Sequence, residues 1–117
     1  MMKYMLLMYT NETEAPDFTP EELQDIGKEW QTLLKEAKAA GVLLANNGLA
    51  PIATATTVRL REGKALTVDG PFAETHEQLG GFLMLNCQDL DEAIQWAKKV
   101  PQARYGSVEI RPLWDQV

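Results

Sequence analysis

Between Asp69 and Gln78 the chain gathers three carboxylates, Asp69, Glu74 and Glu77, and its one imidazole, His76, into a single connection. A carboxylate at a strand end, partly desolvated by Pro71 and Phe72, would have a raised pKa and could act as an acid or a base, which makes Asp69 the candidate proton-transfer group. Imidazole as a side chain can gain or lose a proton near neutral pH, so His76 is a weaker candidate for the same work. Gly70, Pro71, Phe72 and Glu74 are the neighbouring candidates for ligand contact. Arg59, which alternates outward with Arg61 from the preceding hairpin, would supply a cation for an anionic ligand. The same residues also compose an ordinary surface turn. Asp-Gly favours chain reversal, Glu74 and Glu77 around His76 read equally as a solvated face, and arginines on a strand are commonly solvated.

Counting removes several other chemistries. With one His, one Cys and one Ser, a Cys/His zinc site cannot be assembled within one chain, and no metal is expected. Ser107 lies in Tyr105-Gly106-Ser107-Val108-Glu109, which lacks the nucleophile-elbow pattern. Gly80-Gly81 precedes a strand rather than a helix, so it is no phosphate cradle, and no cofactor is expected. Cys87 with His76 would make a nucleophile and base, but a small core residue at a strand end is the favoured reading of Cys87.

The elements that must position these residues follow from hydrophobic spacing. Met2 to Tyr9 is a strand whose two alternating faces are both apolar apart from Lys3, the mark of a strand covered on both sides. Phe18-Thr19-Pro20-Glu21-Glu22-Leu23 carries a helix cap at Thr19, a proline at the first helical position, a capping-box partner at Glu22 and a staple pair in Phe18 and Leu23. Leu23, Ile26, Trp30, Leu33, Leu34 and Ala37 then recur at helical spacing until Gly41, predicting a helix over Pro20 to Ala40. Val42 to Ala45 is extended, and Asn46-Asn47-Gly48 should break it. Thr56 to Arg61 and Lys64 to Asp69 form a half-exposed hairpin around Glu62-Gly63, ended by Pro71. Gly80 to Cys87 is a second strand apolar on both faces. Asp89 with Glu92 caps a shorter helix bearing Leu90, Ala93, Ile94, Ala97 and Val100, and Val108 to Arg111 is the last strand. Trp30 reads as core, and Trp96 as partly exposed beside it.

Strand, helix, strand, inserted hairpin, strand, helix, strand is an α+β order, that of the ferredoxin-like β-α-β-β-α-β motif, with the two doubly apolar strands at its centre. Two helices cover one face of such a sheet. The other would carry Met and Leu into water, so a second copy of the sheet is expected to cover it, giving a dimeric α+β barrel. The alternative is a monomer in which Asn46 to Ala55 folds across that face. The 117 residues, with no linker or repeat, are read as one domain. Seventeen acidic against eleven scattered basic residues, a net charge of −6, argue against a nucleic-acid partner. The apolar run at the start is too short to span a membrane, and a single cysteine makes the cytoplasm the default location.

Asp69-Gly70-Pro71-Phe72-Ala73-Glu74-Thr75 followed by Glu77-Gln78-Leu79-Gly80-Gly81-Phe82 resembles the signature of the DGPF-type branch of the YCII-related proteins. Met2 to Leu7, Ala53 to Arg59, Leu90 to Ala93 and Gly106 to Pro112 extend the resemblance over nearly the whole chain. It implies a ferredoxin-like fold and a dimeric α+β barrel. It also implies an aspartate and a histidine as an acid–base pair in a cleft, the aspartate corresponding to Asp69, and so a cofactor-independent lyase or isomerase type of chemistry on a small molecule. The histidine expected in the first helix has no counterpart: Trp30 stands near its place, and His76 sits where the signature more often has lysine. Some relatives are tied to alternative sigma factors, and the acidic surface suits a basic protein partner, so a non-catalytic regulatory module is the competing expectation.

Overall fold

A computed structural model describes residues 1–14, 16–73 and 76–114. It is an α+β arrangement with eight principal elements: β1 (Met2–Thr10), α1 (Pro20–Ala39), β2 (Leu43–Gly48), β3 (Thr56–Arg61), β4 (Lys64–Asp69), β5 (Gln78–Cys87), α2 (Leu90–Ala97) and β6 (Ser107–Pro112). Four strands form one antiparallel sheet in the order β2-β5-β1-β6, and β3 and β4 form a separate two-stranded sheet. The two strands with apolar residues on both faces are therefore the central ones, and the arrangement is consistent with a ferredoxin-like sheet.

Local chemistry sets the ends of α1. The Thr19 hydroxyl accepts the Glu22 N–H at 3.1 Å while the Glu22 carboxylate accepts the Thr19 N–H at 3.3 Å, the reciprocal capping box. At the other end Gly41, with φ +73°, donates to the Lys38 carbonyl and Val42 donates to that of Ala37, a Schellman closure that needs a left-handed residue. Of the staple residues, Phe18 meets Tyr105 edge-on with ring centres 5.4 Å apart, and Leu23 is exposed. In α2 the Asp89 carboxylate accepts the Glu92 N–H, and the Glu92 side chain accepts from Gln88, one residue earlier than a capping box requires.

The core lies between the helices and one face of the sheet. Tyr4, Leu6 and Met8 of β1 and Leu83, Leu85 and Cys87 of β5 point into it, against Leu33 and Ala37 of α1 and Ala93 and Ala97 of α2. Trp30 and Trp96 are both half-buried at its margin, so Trp30 is less enclosed than its helical spacing suggests. Met5, Leu7, Phe82 and Met84, the alternate residues of the same central strands, form the opposite face and remain partly exposed.

Two expectations are corrected. Asn46-Asn47-Gly48 does not break the second strand, because these residues pair with Leu83, Phe82 and Gly81 of β5, and the backbone ladder outweighs their turn preference. The register shifts between Leu43 and Ala45, placing the irregularity earlier than the composition indicates. The hairpin, in turn, has no single apolar face. Its reversal puts Glu62 and Gly63 both at positive φ, a tight turn whose register pairs Val58 with Thr67 and Arg59 with Leu66. Val58 and Leu60 thus face one side, Leu66 and Val68 the other, and all four are about half exposed or more.

Residues 49–55 do not seal the open face of the sheet. The Leu49 N–H is bound to the Gly80 carbonyl at the sheet's end, and a short turn at Ile52–Thr54 is anchored by the Glu12 carboxylate, which accepts the Ile52 N–H at 3.2 Å.

Candidate functional site

Asp69 is the last residue of β4, paired with Thr56 of β3. Its carboxylate is exposed, and Phe72, which was expected to shield it, is itself 73% exposed. Beyond Asp69 the chain turns at Gly70, whose φ of +107° would strain any side chain. The turn is held from both sides: the Gly70 N–H donates to the Ala55 carbonyl at 2.7 Å, and the Gly70 carbonyl accepts the Thr57 hydroxyl at 2.9 Å. The following Gly70–Pro71 peptide bond is trans.

Two candidate residues are brought together. The Arg59 guanidinium lies 5.2 Å from the centre of the Phe72 ring, a cation–π distance, and its Nη2 approaches the Phe72 carbonyl at 3.5 Å. Asp69 does not join them. The two-residue alternation of a strand places Asp69 and Val58 on one face of the hairpin and Arg59 and Leu66 on the other. His76 pairs instead with Glu14, Nε2 to Oε2 3.4 Å, and both side chains are largely exposed. Glu74 lies outside the described residues.

Pro71 and Phe72 form part of the wall of a cleft of about 500 Å³ at the end of the sheet. Tyr9 and Leu79, paired across β1 and β5, form its floor, and Leu49, Ile52 and Ala55 close the far side. Glu77, Gln78 and Thr54 supply its polar groups. The cleft opens on the side of the sheet away from the helices, since Tyr9 follows Met5 and Leu7 along β1. Reading by motif alone missed Tyr9, Leu49 and Ile52. The apolar stretch Leu49-Ala50-Pro51-Ile52, out of place in an exposed connection, was the signal that could have found them.

Other groups are structural. Arg104 makes two hydrogen bonds to the Glu29 carboxylate, at 2.6 and 3.2 Å, tying the turn before β6 to α1. Burial pushes the Tyr105 hydroxyl above its ordinary pKa. Cys87 is fully enclosed; burial first, and then the Glu92 carboxylate, push its thiol up to about 11, the opposite of what a nucleophile needs. Among the described residues no group of three or more His, Cys, Asp or Glu side chains is placed to hold a metal ion, and no helix is long and apolar enough to cross a membrane.

The family model for the YCII-related domain matches residues 2–116. An uncharacterised protein of Rhizobium meliloti (strain 1021) is 36% identical over 114 residues, covering 96% of this chain and 92% of that protein.

Proposed function

The chain belongs to the YCII-related domain family, and on that footing we propose that it acts as one domain, paired as a homodimer, that binds a small molecule in the cleft beside Pro71 and Phe72. The observation that carries this reading is the cleft itself: apolar walls from Tyr9, Leu49, Ile52 and Phe72 with a few convergent polar groups, within the usual size of small-molecule sites. The homodimer would be a dimeric α+β barrel, with the two bare sheet faces meeting and Met5, Leu7, Phe82 and Met84 at the interface. Because the cleft opens on that same side, the second subunit would complete its enclosure, and Asp69, which does not line the cleft in the single chain, would leave bulk water where the partner also covers the end of β4. There the carboxylate would move a proton on a bound substrate without a cofactor, as in a lyase or isomerase.

The dimer is tested by sedimentation. Twice the 13.1 kDa chain mass is expected for the native protein, and the single-chain mass for Met84→Asp, which sets a charge on the bare face. A native species of one-chain mass removes the dimer. Proton transfer is tested by incubating small keto acids and lactones with the protein in deuterated water. Deuterium should enter next to the carbonyl with the native protein and not with Asp69→Asn; equal incorporation by both removes Asp69 from the mechanism.

A second reading, a non-catalytic protein-binding module, is supported by the hairpin, which presents apolar residues on both of its faces. It is favoured if Val58→Lys with Leu66→Lys leaves the dimer intact and no proton exchange is found in the native protein.

A further inference from the structure

β3 and β4 pair only with each other, and of their twelve residues only Thr57 is even half-buried. A two-stranded ribbon with no third strand or helix against it is marginal in water. This one is nonetheless fixed at its root by the hydrogen bonds of Gly70 to Ala55 and Thr57, and by Arg59 over the Phe72 ring. It carries the chain beyond a compact outline: the radius of gyration is 16.3 Å, against about 13–14 Å for a globule of this length. A rooted ribbon that its own chain covers on neither face lacks a neighbour.

Its two faces differ. Cross-strand pairing puts Val58, Leu60, Ala65 and Thr67 together on a face whose one charge is Asp69 at the root, and puts Leu66 and Val68 with Arg59, Arg61 and Lys64 on the reverse. Arg61 stands directly opposite Lys64, a like-charge pair that destabilises the ribbon unless an anionic surface lies near. The rest of the chain is that surface: outside the hairpin, fifteen acidic residues face eight basic ones. On the bare sheet face Glu109 stands at the cleft end, 3.4 Å from the Tyr9 hydroxyl, next to Leu7, while Lys3 and Arg111 lie towards the other end. A ribbon laid on that cleft end by its uncharged face would hold its three cations within about one screening length, ~10 Å at 0.1 M salt, of Glu109.

The area points the same way. Met5, Leu7, Phe82 and Met84 are each already half-buried and leave no more than about 300 Å² of apolar surface between them, taking ~200 Å² for a large side chain. Each partner of a stable homodimer buries roughly 800 Å², of which about 500 Å² is apolar. Val58 and Leu60, 63% and 68% exposed, would add roughly 200 Å². The sheet face alone falls short, and the hairpin makes up the difference.

We propose that the β3–β4 hairpin is an arm that reaches over a second copy of the chain and lies, Val58 and Leu60 downward, on the cleft end of its bare sheet face. The arm rests on the homodimer proposed above and adds to it a contact that the meeting of two sheets does not contain. Its root walls its own subunit's cleft through Pro71 and Phe72, so each cleft would be bordered by one arm's root and covered by the other arm's face.

Sedimentation of the full chain gives the dimer dissociation constant, which Val58→Lys with Leu60→Lys should raise at least about a hundredfold. Both positions are exposed, so the fold of the single chain does not depend on them. Leu66→Lys with Val68→Lys, on the reverse face, should change the constant less than about threefold. In a second measurement, p-benzoylphenylalanine in place of Leu60 should give, on irradiation, a covalent product of twice the 13.1 kDa chain mass, joined at residues 5–9 of the other copy. The same group in place of Leu23, exposed on α1, should give none. A native protein of one-chain mass removes the homodimer and the arm with it. A native dimer whose constant the first lysine pair leaves unmoved, or whose cross-link maps to α1 or to the other hairpin, overturns the arm alone and leaves the sheet-to-sheet dimer standing. Equal weakening by the two lysine pairs overturns the choice of face.

Discussion

Along β5 the side chains alternate between two environments that differ far more than the residues do. Leu83, Leu85 and Cys87 are essentially removed from solvent, whereas Phe82 and Met84, no less apolar, are only half-buried on the other face. β1 repeats the division, with Leu6 buried and Leu7 partly exposed beside it. Both faces have the composition of an interior, and only one has been given helices. Hydrophobic patterning thus specifies how much of a sheet is to be covered, while the chain's own length and topology decide how much it covers by itself. What is left over, Met5, Leu7, Phe82 and Met84, is the surface on which the proposed second subunit rests.

Truncation at adjacent positions gives the largest expected difference. Leu83→Ala empties a site that is 1% exposed between the sheet and the helices, and should cost about 2–5 kcal/mol of unfolding free energy in a denaturant titration. Met84→Ala removes a side chain of similar size from the face without helices, and should cost under about 1 kcal/mol in a dilute, dissociated sample, because the lost atoms were never fully buried. At concentrations where two chains associate, the Met84→Ala cost should grow with protein concentration and that of Leu83→Ala should not. Equal costs at every concentration would mean that the two faces are covered alike, and the comparison would fail.

A smaller effect is expected from loosening the cover itself. Thr19→Ala removes one half of the capping box at the start of α1 and should lower stability by about 1 kcal/mol. Hydrogen exchange should locate the loss in the first turns of α1, with the amides of β6 little changed. A uniform loss across the sheet would indicate that α1 cannot open without the whole domain.

The element order and the central placement of β1 and β5 were legible in the sequence because both follow from periodicity, which survives without knowledge of partners. The caps of α1 and α2 were legible for a related reason: Thr19 with Glu22 and Asp89 with Glu92 act within one turn. Hairpin register was not legible from pattern. A one-residue difference in pairing sends Leu66 to the face opposite Leu60, and that choice is made by the Glu62-Gly63 turn rather than by the strands. The site was legible only in part. Gly70 and its turn, Pro71 and Phe72 belong to one short segment, but Tyr9, Leu49 and Ile52 reach the cleft through long-range pairing that no local motif encodes. Asn46 to Gly48 was misread because turn-forming residues at a sheet edge still pair when a neighbouring strand offers a ladder.

An effect confined to alkaline pH tests how tightly the helix-covered face is sealed, and Cys87 reports it. Its thiol stays neutral in the folded protein up to about 11, whereas in the unfolded chain it ionises near its ordinary value of 9.0. The folded state therefore binds this proton more tightly. The resulting stability is fully present below pH 9 and is lost as pH rises towards 11, because the unfolded chain gives up the proton first. Stability measured across that window should fall less steeply in Cys87→Ala than in the native protein. The alanine variant should also be less stable at neutral pH by a roughly constant cavity cost, so the slope and not the midpoint is the reading. The other groups that titrate in this range, tyrosines and lysines, are common to both proteins and cancel in the difference. A second measurement needs no substitution: a thiol reagent at pH 8 should modify the native protein only as fast as the core opens, and at once when the chain is unfolded. Rapid modification of the folded protein would show that solvent reaches Cys87, and the face closed by α1 and α2 would then be no better sealed than the one without helices.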